Sequence, residues 1–251
     1  MLTVENLSSG YGKETVISNA SLSVLKNELN IILGPNGSGK STLLKTIAGV
    51  LNKTKGNIYI NETDFFSLSF RERGREIAYM SQERPVPDMI VHELLLCARY
   101  PYLDFGKSYG EEDYSCISKA VLLTGIEALE NRKLKTLSGG ERQKVYIAMA
   151  LSQGTDVILL DEPITYLDIK NQFEIMELIK SIKKEKSILM VCHDIRMSLK
   201  YADKLIVMDK GRIIDSGTRE EILSSKSLEK IFGVNITKTE STDDYIINME
   251  K

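Results

Sequence analysis

The sequence predicts an α/β fold with a mostly parallel sheet as its core, an antiparallel β subdomain at the N-terminus and an α-helical subdomain inserted in the middle. Three observations predict it. Residues 29–33, 157–160 and 188–191 are apolar without alternation, as strands covered by helices on both faces are. The short stretches 3–7, 21–24 and 57–60 alternate instead, which marks antiparallel strands with one wet face. Between Met89 and Gly154 no comparable strand pattern occurs, and apolar residues recur at helical spacing over 91–98, 114–123 and 145–151.

Taken in order, 3–7 and 21–24 flank a turn at Gly10-Tyr11-Gly12, and the run 29–33 leads into a Gly-rich loop. Behind that loop Leu43, Leu44, Ile47, Ala48 and Leu51 follow the spacing of an amphipathic helix. After the helical insertion the strands 157–160 and 188–191 return to the core. Asp209-Lys210-Gly211-Arg212, between the apolar stretches 205–208 and 213–214, reads as a hairpin turn. Beyond Gly217 the chain reads as polar and weakly periodic. The boundaries that follow are a unit over 1–233, with its core in 1–88 and 155–233 and its helical lobe in 89–154, then a tail over 234–251. The basic cluster 183–186 is read as a solvated loop.

A chain of 251 residues is at the upper end of one domain, or forms two closely joined lobes, and buries a core without staples. Its cysteines, Cys97, Cys116 and Cys192, are odd in number and lack C-x-x-C spacing, so neither a disulfide framework nor a zinc site is expected, and a reducing cytosol fits. The opening Met1-Leu2-Thr3-Val4-Glu5 lacks the basic flank and apolar stretch of a signal peptide, and no apolar run approaches bilayer length. The chain is therefore expected to be neither secreted nor membrane-spanning. A net charge of −2 argues against binding driven by a phosphate backbone, so no nucleic-acid partner is expected.

Gly34-Pro35-Asn36-Gly37-Ser38-Gly39-Lys40-Ser41 is a complete G-x-x-x-x-G-K-[ST] phosphate-binding loop, in the strand-to-helix context that the motif requires. Glycines let successive N–H groups converge on phosphate oxygens at the positive end of the helix. Lys40 is then expected to reach the β- and γ-phosphates of a nucleoside triphosphate, and the Ser41 hydroxyl to ligate Mg²⁺. Asp161 and Glu162 stand directly after an apolar strand, where a phosphoryl-transfer site needs one carboxylate for Mg²⁺ and another to orient the attacking water. Asp161 is expected to take the first role and Glu162, as general base, the second. His193 follows strand 188–191 in the same way and is expected to contact the γ-phosphate, whereas His92 is read as an ordinary helix-start residue. Leu137-Ser138-Gly139-Gly140-Glu141 enters a helix; it reads either as a second anion-binding terminus or as a helix cap.

Together these motifs closely resemble the ATP-binding cassette family over residues 2–233: phosphate loop, LSGGE signature, acidic pair and switch histidine occur in the family's order and approximate spacing. The resemblance implies a P-loop NTPase (RecA-like) core and ATP hydrolysis. It also implies a head-to-tail homodimer in which Ser138, Gly139, Gly140 and Glu141 of one chain face the ATP held by Lys40 of the other. It extends the ATP-binding set to Thr42 and to Tyr11, matched to the aromatic residue that stacks on adenine. Gln82 matches the glutamine that touches Mg²⁺ and senses the membrane partner, and Asp168 matches the D-loop aspartate at the dimer interface. Ile164, where the family generally has Thr, and Ser81, where Pro is common, depart from the pattern without removing a reactive group.

The stretches 90–94 and 99–103, Tyr201-Ala202-Asp203 after His193-Asp194, and Ile231-Phe232-Gly233-Val234 look like the subfamily that powers uptake of iron-siderophores, haem and cobalamin, although Cys97-Ala98 replaces the usual Leu-Gly or similar pair. That resemblance implies two integral-membrane permease subunits, an extracytoplasmic substrate-binding protein acting through them, and a peripheral location at the cytoplasmic face of the cell membrane. Other readings are an importer of another metal or an oxyanion, a soluble cassette ATPase of iron–sulfur assembly or DNA repair, and a non-hydrolysing nucleotide-gated scaffold. The absence of long coiled-coil insertions speaks against repair, and the intact Glu162 and His193 speak against a scaffold.

Overall fold

The structure, a computed structural model, describes residues 1–239 and 244–249. It opens with two long antiparallel strands, β1 (Leu2–Tyr11) and β2 (Glu14–Val24); Leu2 and Val4 are buried by alternation, and Leu7 returns to the core after a register shift. The bend falls slightly later than the sequence suggests, because Tyr11 still pairs with Glu14 and only Gly12 and Lys13 turn. β3 (Leu29–Leu33) is buried at every residue and leads through the Gly-rich loop into α1 (Lys40–Ile47). The expected strand at 57–60 is the second half of β4 (Lys53–Ile60); with β5 (Thr63–Asp64) it completes a four-stranded antiparallel sheet in the order β2-β1-β4-β5. Two elements follow that periodicity does not reveal. α2 (Phe70–Glu76) is started by a reciprocal capping box between Ser69 and Glu72, and β6 (Ile77–Met80) is too short for a period to register.

The three expected helices appear as α3 (Val91–Cys97), α4 (Glu111–Thr124) and α5 (Gly139–Ser152). The core then resumes with β7 (Val157–Asp161), α6 (Ile169–Ile182), β8 (Ser187–Val191), α7 (Ile195–Tyr201) and β9 (Lys204–Asp209). β9 and β10 (Arg212–Gly217) form the expected hairpin, with Lys210 and Gly211 both at positive φ. Beyond Gly217 the structure departs from the weakly periodic tail. It forms α8 (Arg219–Ser225), α9 (Ser227–Phe232) and an antiparallel hairpin of β11 (Val234–Lys238) and β12 (Tyr245–Met249). Each element is short, so local capping by Thr218 with Glu221, rather than a long apolar stripe, sets where the first helix starts. Tyr245 is buried in the main core and Arg196 meets Asp244 at 2.9 Å, which ties the hairpin to α7. Residues 240–243, 250 and 251 of the expected tail lie outside the described residues. The basic cluster differs too: Lys183 Nζ lies 2.6 and 2.7 Å from the two carboxylate oxygens of Asp203, joining the end of α6 to the start of β9.

The six strands of the main sheet run in the order β10-β9-β3-β8-β7-β6, parallel except for the β9–β10 hairpin. Alternate residues of each strand serve two cores. Ile31, Leu160 and Met190 face the helices α3 to α7, while Ile32, Leu159 and Leu189 face α1 and the antiparallel sheet. No helix among the described residues is long and apolar enough to cross a membrane. The carboxyl ends of β3, β8 and β7 lie side by side, which is where open parallel sheets hold ligands.

Candidate active site

Each of those three strands delivers one part of the site. After β3, the loop packs so closely on β9 that a Cβ at Gly34 would meet the Met208 carbonyl oxygen at 2.2 Å, and Gly39 caps α1 at φ 96, open only to glycine. The β9–β10 turn props the loop from behind: Gly211 N–H donates to the Ser38 carbonyl at 3.0 Å, and Ser18 N–H donates to the Gly211 carbonyl at 2.9 Å. Among the described residues Ser38 Oγ is buried without a hydrogen-bond partner, a polar atom in a loop suited to anion oxygens. Lys40 is buried, and its Nζ donates to the carbonyls of Gly34 and Pro35 at 2.8 Å each. Burial draws the Lys40 ammonium below its ordinary pKa, opposed by the charges of Glu162 and Asp161.

At the end of β7, Asp161 is wholly buried; its Oδ1 accepts from Ser41 Oγ at 2.9 Å and its Oδ2 from the Tyr79 hydroxyl at 3.3 Å. Burial pushes this carboxyl above the usual range, while the bonds from Ser41 and Tyr79 pull it down and the neighbouring Glu162 charge pushes it up again. Glu162 has φ 53, a left-handed conformation that costs a side-chain-bearing residue roughly 1–3 kcal/mol and persists only where its surroundings enforce it. Its N–H still donates to the Val191 carbonyl at 3.2 Å. Its carboxylate accepts from Gln82 Nε2 at 2.8 Å and Thr165 Oγ1 at 3.0 Å, and its other oxygen contacts His193 Nε2.

The result is a cleft of about 700 Å³ whose walls include Asn36, Gly37, Gly39, Lys40, Ser41, Thr42, Gln82, Glu162 and His193. The sequence reading had singled out all of these. It missed Val16, Thr165 and Tyr166, which also line the cleft. No motif marks Thr165: its bond to Glu162 forms within the turn that the chain enters through positive φ at Glu162. Ser41, Asp161 and the Gln82 amide offer oxygen donors only, which suits a hard divalent cation. Among the described residues no group of three or more His, Cys, Asp or Glu gathers, so a cation here needs hydroxyl and ligand oxygens as well.

Other singled-out residues stand apart from this cleft. Tyr11 is half exposed at the end of β1 and does not line it. Ser138 caps α5: its Oγ accepts from Glu141 N–H at 3.3 Å, and the Glu141 carboxylate accepts from Ser138 N–H and Oγ at 2.8 Å. Gly140 abuts Asn171, whose Oδ1 would lie 2.3 Å from an added Cβ. Asp168 caps α6 by accepting from Asn171 N–H at 2.8 Å, so signature and D-loop touch within one chain through Asn171. Tyr166, on the cleft wall, and Ile169, at the start of α6, are 94% and 73% exposed. Ile164 is buried in the core, and His92 opens α3 beside Glu130 and Tyr114.

The model of the ABC transporter family matches residues 17–165. The chain is 35% identical over 242 residues to the probable siderophore transport system ATP-binding protein YusV of Bacillus subtilis, covering 95% of this chain and 88% of that protein. It is 36% identical to the ferric enterobactin transport ATP-binding protein FepC of Escherichia coli, covering 92% of this chain and 86% of that one. Among solved structures, the dimeric bacterial ABC transporter cassette MJ0796 superposes with a TM-score of 0.75 at 27% identity, covering 87% of this chain and 99% of that one.

Proposed function

The chain belongs to the ATP-binding cassette transporter family and is an ATPase of that kind, and from this premise we propose that it powers a binding-protein-dependent importer of an iron chelate of the siderophore class. Likeness to siderophore-transport proteins over nearly the whole chain is the observation that carries the importer reading. In this reading the phosphates of ATP lie in the cleft, within residues 34–42, and its adenine extends beyond the cleft to Tyr11. Ser41, Asp161 and Gln82 would hold Mg²⁺, which when bound neutralises charge on the phosphate oxygens. Lys40 adds positive charge at the β- and γ-phosphates. Glu162 orients a water and takes its proton as the water oxygen attacks the γ-phosphorus and the bond to the bridging oxygen breaks. His193 steadies the γ-phosphate and holds the Glu162 carboxylate from the side.

Two chains would pack head to tail, each presenting the Ser138–Glu141 turn and Asp168 to its partner's cleft. The exposure of Ser138, Tyr166 and Ile169 supports a partner copy there. Residues 1–88 and 155–233 would form the core that closes, and 89–154 the lobe that moves with two permease subunits docked near Gln82 and 85–93 at the cytoplasmic face of the membrane. The tagged chain should therefore retain two integral-membrane subunits when purified from gently solubilised membranes. Recovery with a nucleic-acid complex or an iron–sulfur scaffold and no membrane subunit would refute the importer reading.

A further inference from the structure

Tyr79 carries no motif, yet the fold brings its hydroxyl to the acidic centre. On β6 the side chains alternate between the two cores, and Tyr79 packs toward the face that carries α1. Its backbone pairs with Leu159 in the neighbouring β7, two residues before Asp161. The phenol hydroxyl therefore reaches Asp161 Oδ2 at 3.3 Å from one side while Ser41 Oγ holds Oδ1 at 2.9 Å from the other. A carboxylate held through both oxygens cannot rotate about its Cβ–Cγ bond without losing a hydrogen bond in a buried place, where such losses are expensive.

We propose that Tyr79 is a positioning residue for the metal carboxylate: by holding Oδ2 it fixes the rotation that keeps Oδ1 beside the Ser41 hydroxyl, and so sets the affinity for Mg²⁺ in the nucleotide complex. The inference rests on the reading of Ser41 and Asp161 as the metal pair. A phenol is protonated at neutral pH, so the Tyr79 hydroxyl is the donor and Asp161 Oδ2 the acceptor. Tyr79 also walls a separate cavity of about 230 Å³ between β6 and α5, with Arg84, Pro85 and Tyr146. Its other side therefore faces the segment that follows Gln82.

Tyr79→Phe keeps the ring and removes only the hydroxyl. Binding of a non-hydrolysable ATP analogue to the purified full chain, titrated with Mg²⁺, should show the midpoint raised roughly two- to tenfold, the factor expected for one ordinary hydrogen bond. Nucleotide affinity in EDTA should stay at the wild-type value, while the melting temperature of the nucleotide-free chain falls only by the loss of one partly buried hydrogen bond. Free Mn²⁺ followed by electron paramagnetic resonance should show the same weakening without any turnover. A purely structural role would lower the melting temperature to the same extent and leave the metal midpoint where it is, which would overturn the proposal. An unchanged midpoint in Tyr79→Phe beside a raised one in Asp161→Asn would overturn the role of Tyr79. An unchanged midpoint in Asp161→Asn as well would overturn the metal assignment, and this inference with it.

Discussion

Replacing Glu162 by Gln isolates the carboxylate charge from the geometry that surrounds it. The amide has nearly the same shape: its oxygen can still accept from Gln82 and Thr165, and its NH₂ can turn to His193 Nε2, so the left-handed turn at residue 162 is retained. What disappears is the proton acceptor. General-base action contributes roughly 10²- to 10⁴-fold to a rate, and at about 1.4 kcal/mol per decade that is roughly 2.7 to 5.4 kcal/mol of transition-state stabilisation. None of it is ground-state binding, because Lys40 and the loop over 34–42 are untouched. Glu162→Gln is therefore expected to bind ATP like the wild type and to turn it over at least about a hundredfold more slowly, leaving the ATP-bound dimer long-lived. Single-turnover phosphate release and size-exclusion chromatography with Mg²⁺-ATP measure the two halves. Turnover within a few-fold of wild type would remove Glu162 from its role, whatever the structure of the cleft.

Three further outcomes follow from the same geometry. Mixed dimers of a Lys40→Ala chain and a Ser138→Arg chain carry both lesions in one composite site and leave the other intact, so ATP-dependent cross-linking of doubly tagged mixtures should recover beyond that of either mutant; no recovery would leave Ser138 as a helix cap alone. Arg99 is buried, pairs with the partly exposed Asp113 at 2.8 Å, donates to the Gln153 carbonyl at 3.0 Å and stacks on Tyr102, so Arg99→Ala should take a cation from Asp113 and a donor from the carbonyl. Urea unfolding should report a loss of about 1–3 kcal/mol, and a loss below about 0.5 kcal/mol would refute this. The Ser138 N–H and hydroxyl hold the Glu141 carboxyl below its ordinary 4.5. A depressed folded pKa stabilises above the unfolded value and the contribution fades as pH falls through the folded one, so the stability difference between wild type and Glu141→Gln should be constant at neutral pH and shrink below pH 4.5. A difference that grows on acidification would contradict the capping box.

Local chemistry was the legible part of this chain. The phosphate loop, the acidic pair and His193 are each written in a few consecutive residues at a strand end, and the parallel topology then brings them to one edge. The three apolar strands were plain because each is buried on both faces and needs no partner sequence to be recognised. Relations set by tertiary folding were not readable in this way. Thr165 meets Glu162 in a turn that opens at positive φ, and Tyr79 meets Asp161 across two strands that lie about eighty residues apart in sequence. Short elements also escaped: β6 offers four residues, and β11 and β12 five each. Lys183 looked like one more solvated lysine because its partner, Asp203, is distant in sequence.

The central claim, that ATP turnover in this cleft drives iron-chelate import, is tested most directly by transport itself. The chain, co-purified with its membrane subunits, would be reconstituted into vesicles with ATP, a ferric siderophore and the corresponding binding protein. The account predicts accumulation of the ferric chelate that requires ATP and the binding protein and is lost in Glu162→Gln. ATP hydrolysis at the wild-type rate without accumulation of any ferric chelate, or accumulation that persists in Glu162→Gln, would contradict it.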